Sequence, residues 1–376
     1  MSEKRIIISD IHMNLDIYDG TESGSVSWLT RRRADQLGRF LSRLSKDKDV
    51  VELVINGDLF DEWIVPHEDS PLPAGSSNDE RVIEHLRKVT KAAVNQGIMT
   101  GLSEIQEKSD ITLTYVSGNH DSLVTNQTQL KAVLPKALHK GTVYKVGNTR
   151  IEHGSEYTVF NSNDYISHTG SSLPIGFFFA RADAQARREG THPSVLDFIE
   201  YLKSLITNPN NIGQLLADLL RNGIGAIYEA YCRVAGIDKN KRILMDGMDH
   251  YDNDIGVDMI SEQFRKVLTT WSEHHSVPLE TALKGDLGLL MDAAIWLKKT
   301  GNVPEKIIVM GHTHNPAVYR YPPFTDPVEF IYGNSGTWID KHDPTFIEIE
   351  DGRTVTLYRH HDDGTCSKKA SETLPQ

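Results

Sequence analysis

Seven candidate metal-ligating side chains occur in order along the chain, each where a predicted strand ends. They lie in Asp10-Ile11-His12, Gly57-Asp58-Leu59-Phe60-Asp61, Gly118-Asn119-His120-Asp121, His153-Gly154 and Gly311-His312-Thr313-His314. Each segment alone has an ordinary explanation. Asp10 and Asn119 suit strand-end turns, Gly57-Asp58 a tight turn with a helix cap, and His153 a hydrogen-bonded histidine. Taken together, they supply the carboxylate, amide and imidazole donors that hold two divalent cations. Oxygen and nitrogen donors without thiolate suit Mn, Fe, Zn or Co, and Mn is taken as the first of these. In extended backbone, residues i and i+2 face the same side. That spacing lets Asp10 and His12 reach one ion and points His312 and His314 into one site.

The elements that must position these residues alternate between strand and helix. Residues 5–9, 50–55 and 111–116 read as buried strands ending at Asp10, Asp58 and Asn119. Residues 28–46 and 80–108 have helical periodicity, with Gly97 and Gly101 as expected breaks in the second. Residues 65–79 read as a loop. A hairpin is expected over 143–146 and 149–152 around Gly147-Asn148. The stretch 165–303 reads as successive helices, and strands return at 306–310, 317–320, 328–332, 346–350 and 354–358. Because the last histidine pair follows the helical stretch, the core must close around it. The expected organisation is therefore a core of residues 1–164 and 304–361, a helical insertion over 165–303 capping the cleft, and a polar tail at 362–376. Open α/β sheets place ligand sites at the carboxyl ends of their strands, where all these residues fall.

This ordered set resembles the calcineurin-like metallophosphoesterase family, with all five family motifs in the family's order. The resemblance implies an α/β fold, a two-sheet β-sandwich flanked by helices. It also implies hydrolysis of a phosphoester or pyrophosphate bond. In such a site Asp58 bridges two ions. Asp10, His12 and His314 complete the first, and Asn119, His153 and His312 the second. A water bridging the ions becomes hydroxide near neutral pH and attacks phosphorus in line. His120 then assists the leaving oxygen, with Asp61 orienting it and favouring its cationic form. Asp121 supports the loop. The stretch Gly57–Trp63 further resembles the UDP-2,3-diacylglucosamine pyrophosphatase branch, as do His153-Gly154-Ser155-Glu156 and Asp164-Tyr165. That branch carries arginine where this chain has His120, and its insertion is much shorter. Two other functions are compatible with these motifs: a nuclease or cyclic nucleotide phosphodiesterase of the same family, and a non-catalytic metal-binding scaffold. Scaffolds of this kind lose ligands, and here every ligand type is present.

Bulk properties narrow the partners. The 376 residues carry a formal charge of −12, which opposes attraction to nucleic acid or anionic membrane. A small phosphorylated substrate, nucleotide- or lipid-linked, is the expected partner. No apolar run is long enough to span a bilayer, although peripheral membrane contact is allowed. The first strand begins by Arg5, leaving no room for a signal peptide, and Cys232 and Cys366 make no disulfide framework. A cytoplasmic location is the expectation. Three further segments attract notice. Ile175–Arg181 with Arg187 and Arg188 reads as an apolar helix packed on the core, or as a grip on an acylated or nucleotide diphosphate substrate. Residues 245–252 are dense in polar groups and read as a surface turn, with lining of the cleft as the alternative. Residues 334–338 are expected to shape the cleft floor, with a hairpin turn as the alternative.

Overall fold

Ile6, Ile7 and Ile8 follow one another in β1 (Lys4–Ile8), and the pleat sends alternate side chains to opposite faces. The computed structural model describes residues 3–15, 28–65, 69, 79–162, 173–188, 227–233, 236–244, 255–321, 328–339 and 343–375. In it Ile7 joins a core between two sheets with Val54, Val116, Ile151, Val309 and Ile331. Ile6 and Ile8 belong instead to the larger core shared with the helices, among Leu37, Leu41 and Ile98.

The strands after β1 are β2 (Val50–Asn56), β3 (Thr112–Val116), β4 (Leu138–His139), β5 (Val143–Val146) and β6 (Thr149–Glu152). Then come β7 (Ile307–Met310), β8 (Ala317–Tyr321), β9 (Phe330–Asn334), β10 (Thr345–Glu350), β11 (Thr354–His360) and β12 (Cys366–Thr373). They form a seven-stranded sheet in the order β12-β11-β10-β1-β2-β3-β4 and a five-stranded sheet in the order β5-β6-β7-β9-β8. Both sheets join strands that precede and follow the helical stretch. β1, β2, β3 and β4 run parallel, as do β6, β7 and β9. Parallel neighbours bring their carboxyl ends to one rim, and the candidate ligands occupy the loops that leave it. This is the α/β two-sheet sandwich expected from the sequence.

Helices flank the sheets. Thr30 caps α1 (Arg31–Leu44) by accepting from the Arg33 amide. The helix expected over 80–108 is two helices, α2 (Asp79–Lys91) and α3 (Gln96–Lys108), separated by a short 3-10 turn at Ala93–Asn95, and a short α4 (Gln127–Lys131) follows β3. The expected breaks at Gly97 and Gly101 are therefore corrected, since both residues lie within α3. A Cβ on Gly38 of α1 would stand 2.6 Å from the Gly97 carbonyl carbon, and one on Gly101 would stand 2.5 Å from Leu41 Cβ. These glycines permit close helix–helix approach. The interruption comes from Asn95, whose buried amide donates to the carbonyls of Asn14 and Val89 (both 2.8 Å).

The polar tail expected at 362–376 is also corrected. Residues Cys366–Thr373 form β12 and pair antiparallel with β11 from Thr354↔Thr373 to His360↔Cys366. An edge strand needs backbone pairing and tolerates polar side chains, so its composition reads like a tail. Leu374 anchors its end in the inter-sheet core. Within the helical stretch, α5 (Ile175–Arg188), Val257–Thr269, Trp271–His274, Leu279–Asp286 and Leu290–Lys299 are helical. Among the described residues of that stretch, the only β pairing is the isolated bridge Ile243↔Ile255. Residues 245–252, Asp164-Tyr165 and most of the loop at 65–79 lie outside the described residues, as do residues 189–226 of the helical stretch. No described helix is long and apolar enough to cross a membrane. Cys232 and Cys366 are both free.

Candidate metal centre

The rim loops hold their ligands in an uncommon backbone conformation. Asp10 and His12 both have φ 55°, Asp58 has 53°, His312 has 67° and His314 has 56°. Only Asp351 joins them as a non-glycine residue with positive φ among those described. The extended backbone that the i, i+2 spacing suggested is therefore corrected to a left-handed one. Asp and His tolerate this region better than branched residues, at a cost of about 1–3 kcal/mol each. Backbone pairing between loops fixes it. Ile11 and His12 amides donate to the Asp58 carbonyl (2.8 and 2.9 Å), and the Met13 amide to Leu59 (2.9 Å). The Asp10 carbonyl accepts from Thr337 Oγ1 (2.8 Å) and the Trp338 amide (3.1 Å). Thr337 and Trp338 thus clamp the Asp10 loop, which is how the 334–338 segment meets the site.

The side chains converge. Asp10, His12 and His314 offer ligand atoms within 4.8 Å of one another, and so do Asp58, His153 and His312. His314 Nε2 lies 3.1 Å from Asp10 Oδ1. Asp58 Oδ2 lies 3.7 Å from His12 Nε2 in one group and 3.0 Å from His153 Nε2 in the other. Asn119 is buried, and its Nδ2 donates to Asn161 Oδ1 (3.4 Å), which leaves its buried Oδ1 without a hydrogen-bond partner. Gly118 is required here, because any Cβ would run into the Asp58 carboxylate. The Asp121 carboxylate accepts from the amides of Gly118 (2.7 Å), Asp58 (3.2 Å) and Leu59 (2.8 Å), which fixes the loop that presents Asp58.

Partners behind the imidazoles set which nitrogen faces the centre. His153 Nδ1 lies 2.9 Å from the Asn56 carbonyl, which leaves Nε2 beside Asp58. His312 Nε2 meets Thr158 Oγ1 (3.3 Å) and Asn161 Nδ2 (3.2 Å). His12 Nδ1 lies 3.5 Å from Asp61 Oδ2, and His120 Nδ1 lies 3.2 Å from Asp61 Oδ1. Asp61 therefore hydrogen-bonds His120 and also lies beside His12, where the sequence suggested one imidazole. Around His120, the Trp63 ring stacks at 4.4 Å and 29°, and Trp28 approaches at 5.1 Å and 51°. Trp28 also lies 4.8 Å from His12. Trp28, Trp63, Thr158 and Asn161 escaped the sequence reading. Trp63 closes the Gly57–Trp63 stretch, while the other three carry no local signal.

The electrostatics fit cations. Burial alone would lower the His153 pKa, but Asp58 and Asp10 outweigh it and push it up to about 10. A proton is thus held where a metal ion would supply positive charge. His312, by contrast, is held down at about 3 by burial and by the neighbouring His153. Burial would raise Asp61, but His120 and His12 outweigh it and hold its carboxyl below the usual range. Buried His12 Nε2 and Asn119 Oδ1 lack hydrogen-bond partners, which a metal ion would satisfy. The donor set and these unpartnered atoms fit divalent ions held by oxygen and nitrogen.

Glu62 follows the opposite logic. Burial, and then the carboxylates of Asp121, Asp61 and Asp58, raise it well above its ordinary range. Its Oε2 accepts from the Leu123 amide (3.0 Å). A folded-state pKa above the unfolded value near 4.3 means that folding takes up a proton. The resulting stability is complete below the unfolded pKa and is lost as pH rises through the folded one. Glu62→Gln keeps the acceptor and removes the titration. In chelator-treated protein it should gain on wild type by up to about 1.4 kcal/mol per pH unit above roughly pH 5. Urea unfolding at several pH values checks this, and a difference that stays flat with pH would exclude a protonated Glu62.

The Ile175–Arg181 segment packs as an apolar helix. Phe177, Phe178 and Phe179 are buried, and the buried Arg181 donates to the Val65 carbonyl. The side chains of Arg187 and Arg188 lie outside the described residues.

No curated protein matches the chain. Among solved structures, a conserved uncharacterized protein of Streptococcus pneumoniae TIGR4, called a predicted phosphoesterase, aligns at TM-score 0.29 and 10% identity, over 100% of this chain and 98% of that one. A putative 5'-nucleotidase from Staphylococcus aureus aligns at 0.32 and 12%, over 100% of this chain and 54% of its own. The purple acid phosphatase PPD1 of yellow lupin (Lupinus luteus) seeds aligns at 0.29 and 11%, over 99% and 54%. Likenesses this low in score carry no weight beyond their mention. The family model described as calcineurin-like phosphoesterase is different, for it matches residues 4–336. That span includes every strand-end loop of the metal centre, and by it the chain belongs to the calcineurin-like phosphoesterase family, whose members are metal-dependent phosphoester hydrolases.

Proposed function

We propose that the chain hydrolyses a phosphoester or phosphoanhydride bond of a small substrate with two divalent ions. Asp10, His12 and His314 would hold one ion, Asn119, His153 and His312 the other, and Asp58 both. The observation that carries this reading is the position of Asp58 Oδ2 between His12 Nε2 (3.7 Å) and His153 Nε2 (3.0 Å). Divalent ions held there supply the Lewis acidity that activates water and offsets phosphoryl charge. The protein's own part is orientation. Asn56 and Thr158 hold the second-ion imidazoles from behind, and Asp61 holds His120 through Nδ1 and lies 3.5 Å from His12 Nδ1. With Nδ1 facing Asp61, His120 has Nε2 to give a proton to the departing oxygen. The preference against nucleic acid rests on the net charge of −12.

In the same reading, residues 165–303 are an insertion in a core built from both ends of the chain, and they cap the cleft. Two observations support this. Each sheet draws strands from both sides of the stretch, and Phe177 packs edge-on to Trp63 at 5.8 Å. The free cysteines favour a reducing, cytoplasmic setting.

Metal analysis with a substrate panel tests the proposal. Chelator-treated protein should lose turnover of an aryl phosphate and regain it with Mn²⁺, and the protein should bind two ions per chain. Phosphomonoesters, cyclic nucleotides, nucleotide diphosphate conjugates and DNA complete the panel. The likeness of Gly57–Trp63 to UDP-2,3-diacylglucosamine pyrophosphatases puts a nucleotide diphosphate conjugate first. Activity that survives complete metal removal would refute the reading, and DNA as the best substrate would redirect it to a nuclease.

A further inference from the structure

We propose that Trp63 is a positioning residue for His120 and that α5 supports it from behind. The proposal rests on the reading of His120 as the group that assists the leaving oxygen. An imidazole tied at one nitrogen can still swing about that contact. Here a single turn restrains it twice. Asp61 Oδ1 lies 3.2 Å from His120 Nδ1 and also accepts the amides of Trp63 (3.1 Å) and Ile64 (2.9 Å). The carboxylate that meets the imidazole edge thereby fixes the backbone that lays the Trp63 ring on the imidazole face. The rings stack at 4.4 Å with 29° between planes, a geometry that aromatic side chains favour. Trp63 is fully buried, so the contact is not a surface encounter.

Behind Trp63 stands α5. Phe177 meets the indole edge-on at 5.8 Å and 86°, and Arg181 donates to the Val65 carbonyl two residues further on. The turn 61–65 is thus held between the His120 loop and α5. The Glu62 amide closes it on the other side by donating to the His120 carbonyl (2.8 Å). The ring contacts of Trp63 are with His120 and Phe177, so loss of the ring should act chiefly through His120.

A double-mutant cycle tests this in the metal-loaded enzyme. Trp63→Met fills much of the volume without a ring, and Trp63→Phe keeps a face to stack. With an alkyl phosphate, Trp63→Met should lower kcat by about 10–100-fold with little change in KM, the scale of lost orienting contacts. Trp63→Phe should restore most of it, and both variants should keep the wild-type metal content. In a His120→Ala background, Trp63→Met should cost nothing more. Full additivity of the two losses, or loss of a metal ion from Trp63→Met, would overturn the proposal. Should Trp63→Met not fold, Phe177→Ala in the same cycle reads the support from α5, and there too additivity overturns it. The His120→Ala arm separates the underlying reading. Equal losses on alkyl and phenyl substrates would refute the leaving-group role, while the cycle would still decide whether Trp63 acts through His120.

Discussion

Replacing Asp58 by Ala should remove both metal ions and lower turnover by more than about 10³-fold, beyond the loss of a single preorganised donor. Its Oδ2 approaches imidazoles of both ligand groups, and its Oδ1 accepts from the His120 amide (2.9 Å). Asp10 Oδ1 is placed comparably, 3.1 Å from His314 Nε2 and 3.8 Å from His153 Nε2, so Asp10→Ala is the control and should remove one ion only; the Asp121 oxygens are taken up by backbone amides. Because Asp58 has φ 53°, Ala there adds backbone strain to the lost charge. Asp58→Asn is the necessary companion, since Asn tolerates that region and preserves the shape. It should fold like wild type and still lose at least one ion. Metal content by mass spectrometry, read beside turnover, checks both variants. Two tightly bound ions retained by Asp58→Ala would show that Asp58 is not the shared ligand.

The second large effect is expected at His120. His120→Ala should keep near-normal metal content, because its backbone amide, which contacts Asp58, survives the substitution. Turnover of an alkyl phosphate should fall by about 10²–10⁴-fold, the usual scale for general acid catalysis. An acidic phenol departs without a proton, so its loss should be far smaller. His120→Asn should behave alike. The structure adds a condition: the vacated space beside Trp63 and Trp28 is a cavity, so thermal stability should be followed in parallel. Equal loss on both substrates, or a missing ion, would assign His120 another role.

Much of this centre is legible in the sequence because its information is local. Each ligand follows a short apolar strand, and strands of that kind are recognisable from residue type alone. The hairpin at 143–152 and the strand ends before Asp10, Asp58, Asn119, His153 and His312 are all found in the fold. The resemblance to a known family rests on the same residues. What failed locally did so where another part of the chain decides. Gly97 and Gly101 read as helix breakers because a sequence does not reveal the helix packed against them. Cys366–Thr373 reads as a tail because an edge strand is stabilised by backbone pairing to β11, which leaves no apolar signature.

The sequence by itself thus determined the donor types, their order, the α/β layering and the family. Only the tertiary structure decided how they are held. It replaced the extended Asp10–His12 and His312–His314 segments with left-handed turns, fixed by hydrogen bonds between loops far apart in the chain. It brought His12 as well as His120 beside Asp61, set Thr158 and Asn161 behind His312, and laid Trp63 on His120. The physical reason is range. Strand propensity and ligand chemistry belong to single residues and their neighbours, whereas ring stacking, tautomer choice and a shared carboxylate exist only after loops from two sheets meet at one rim.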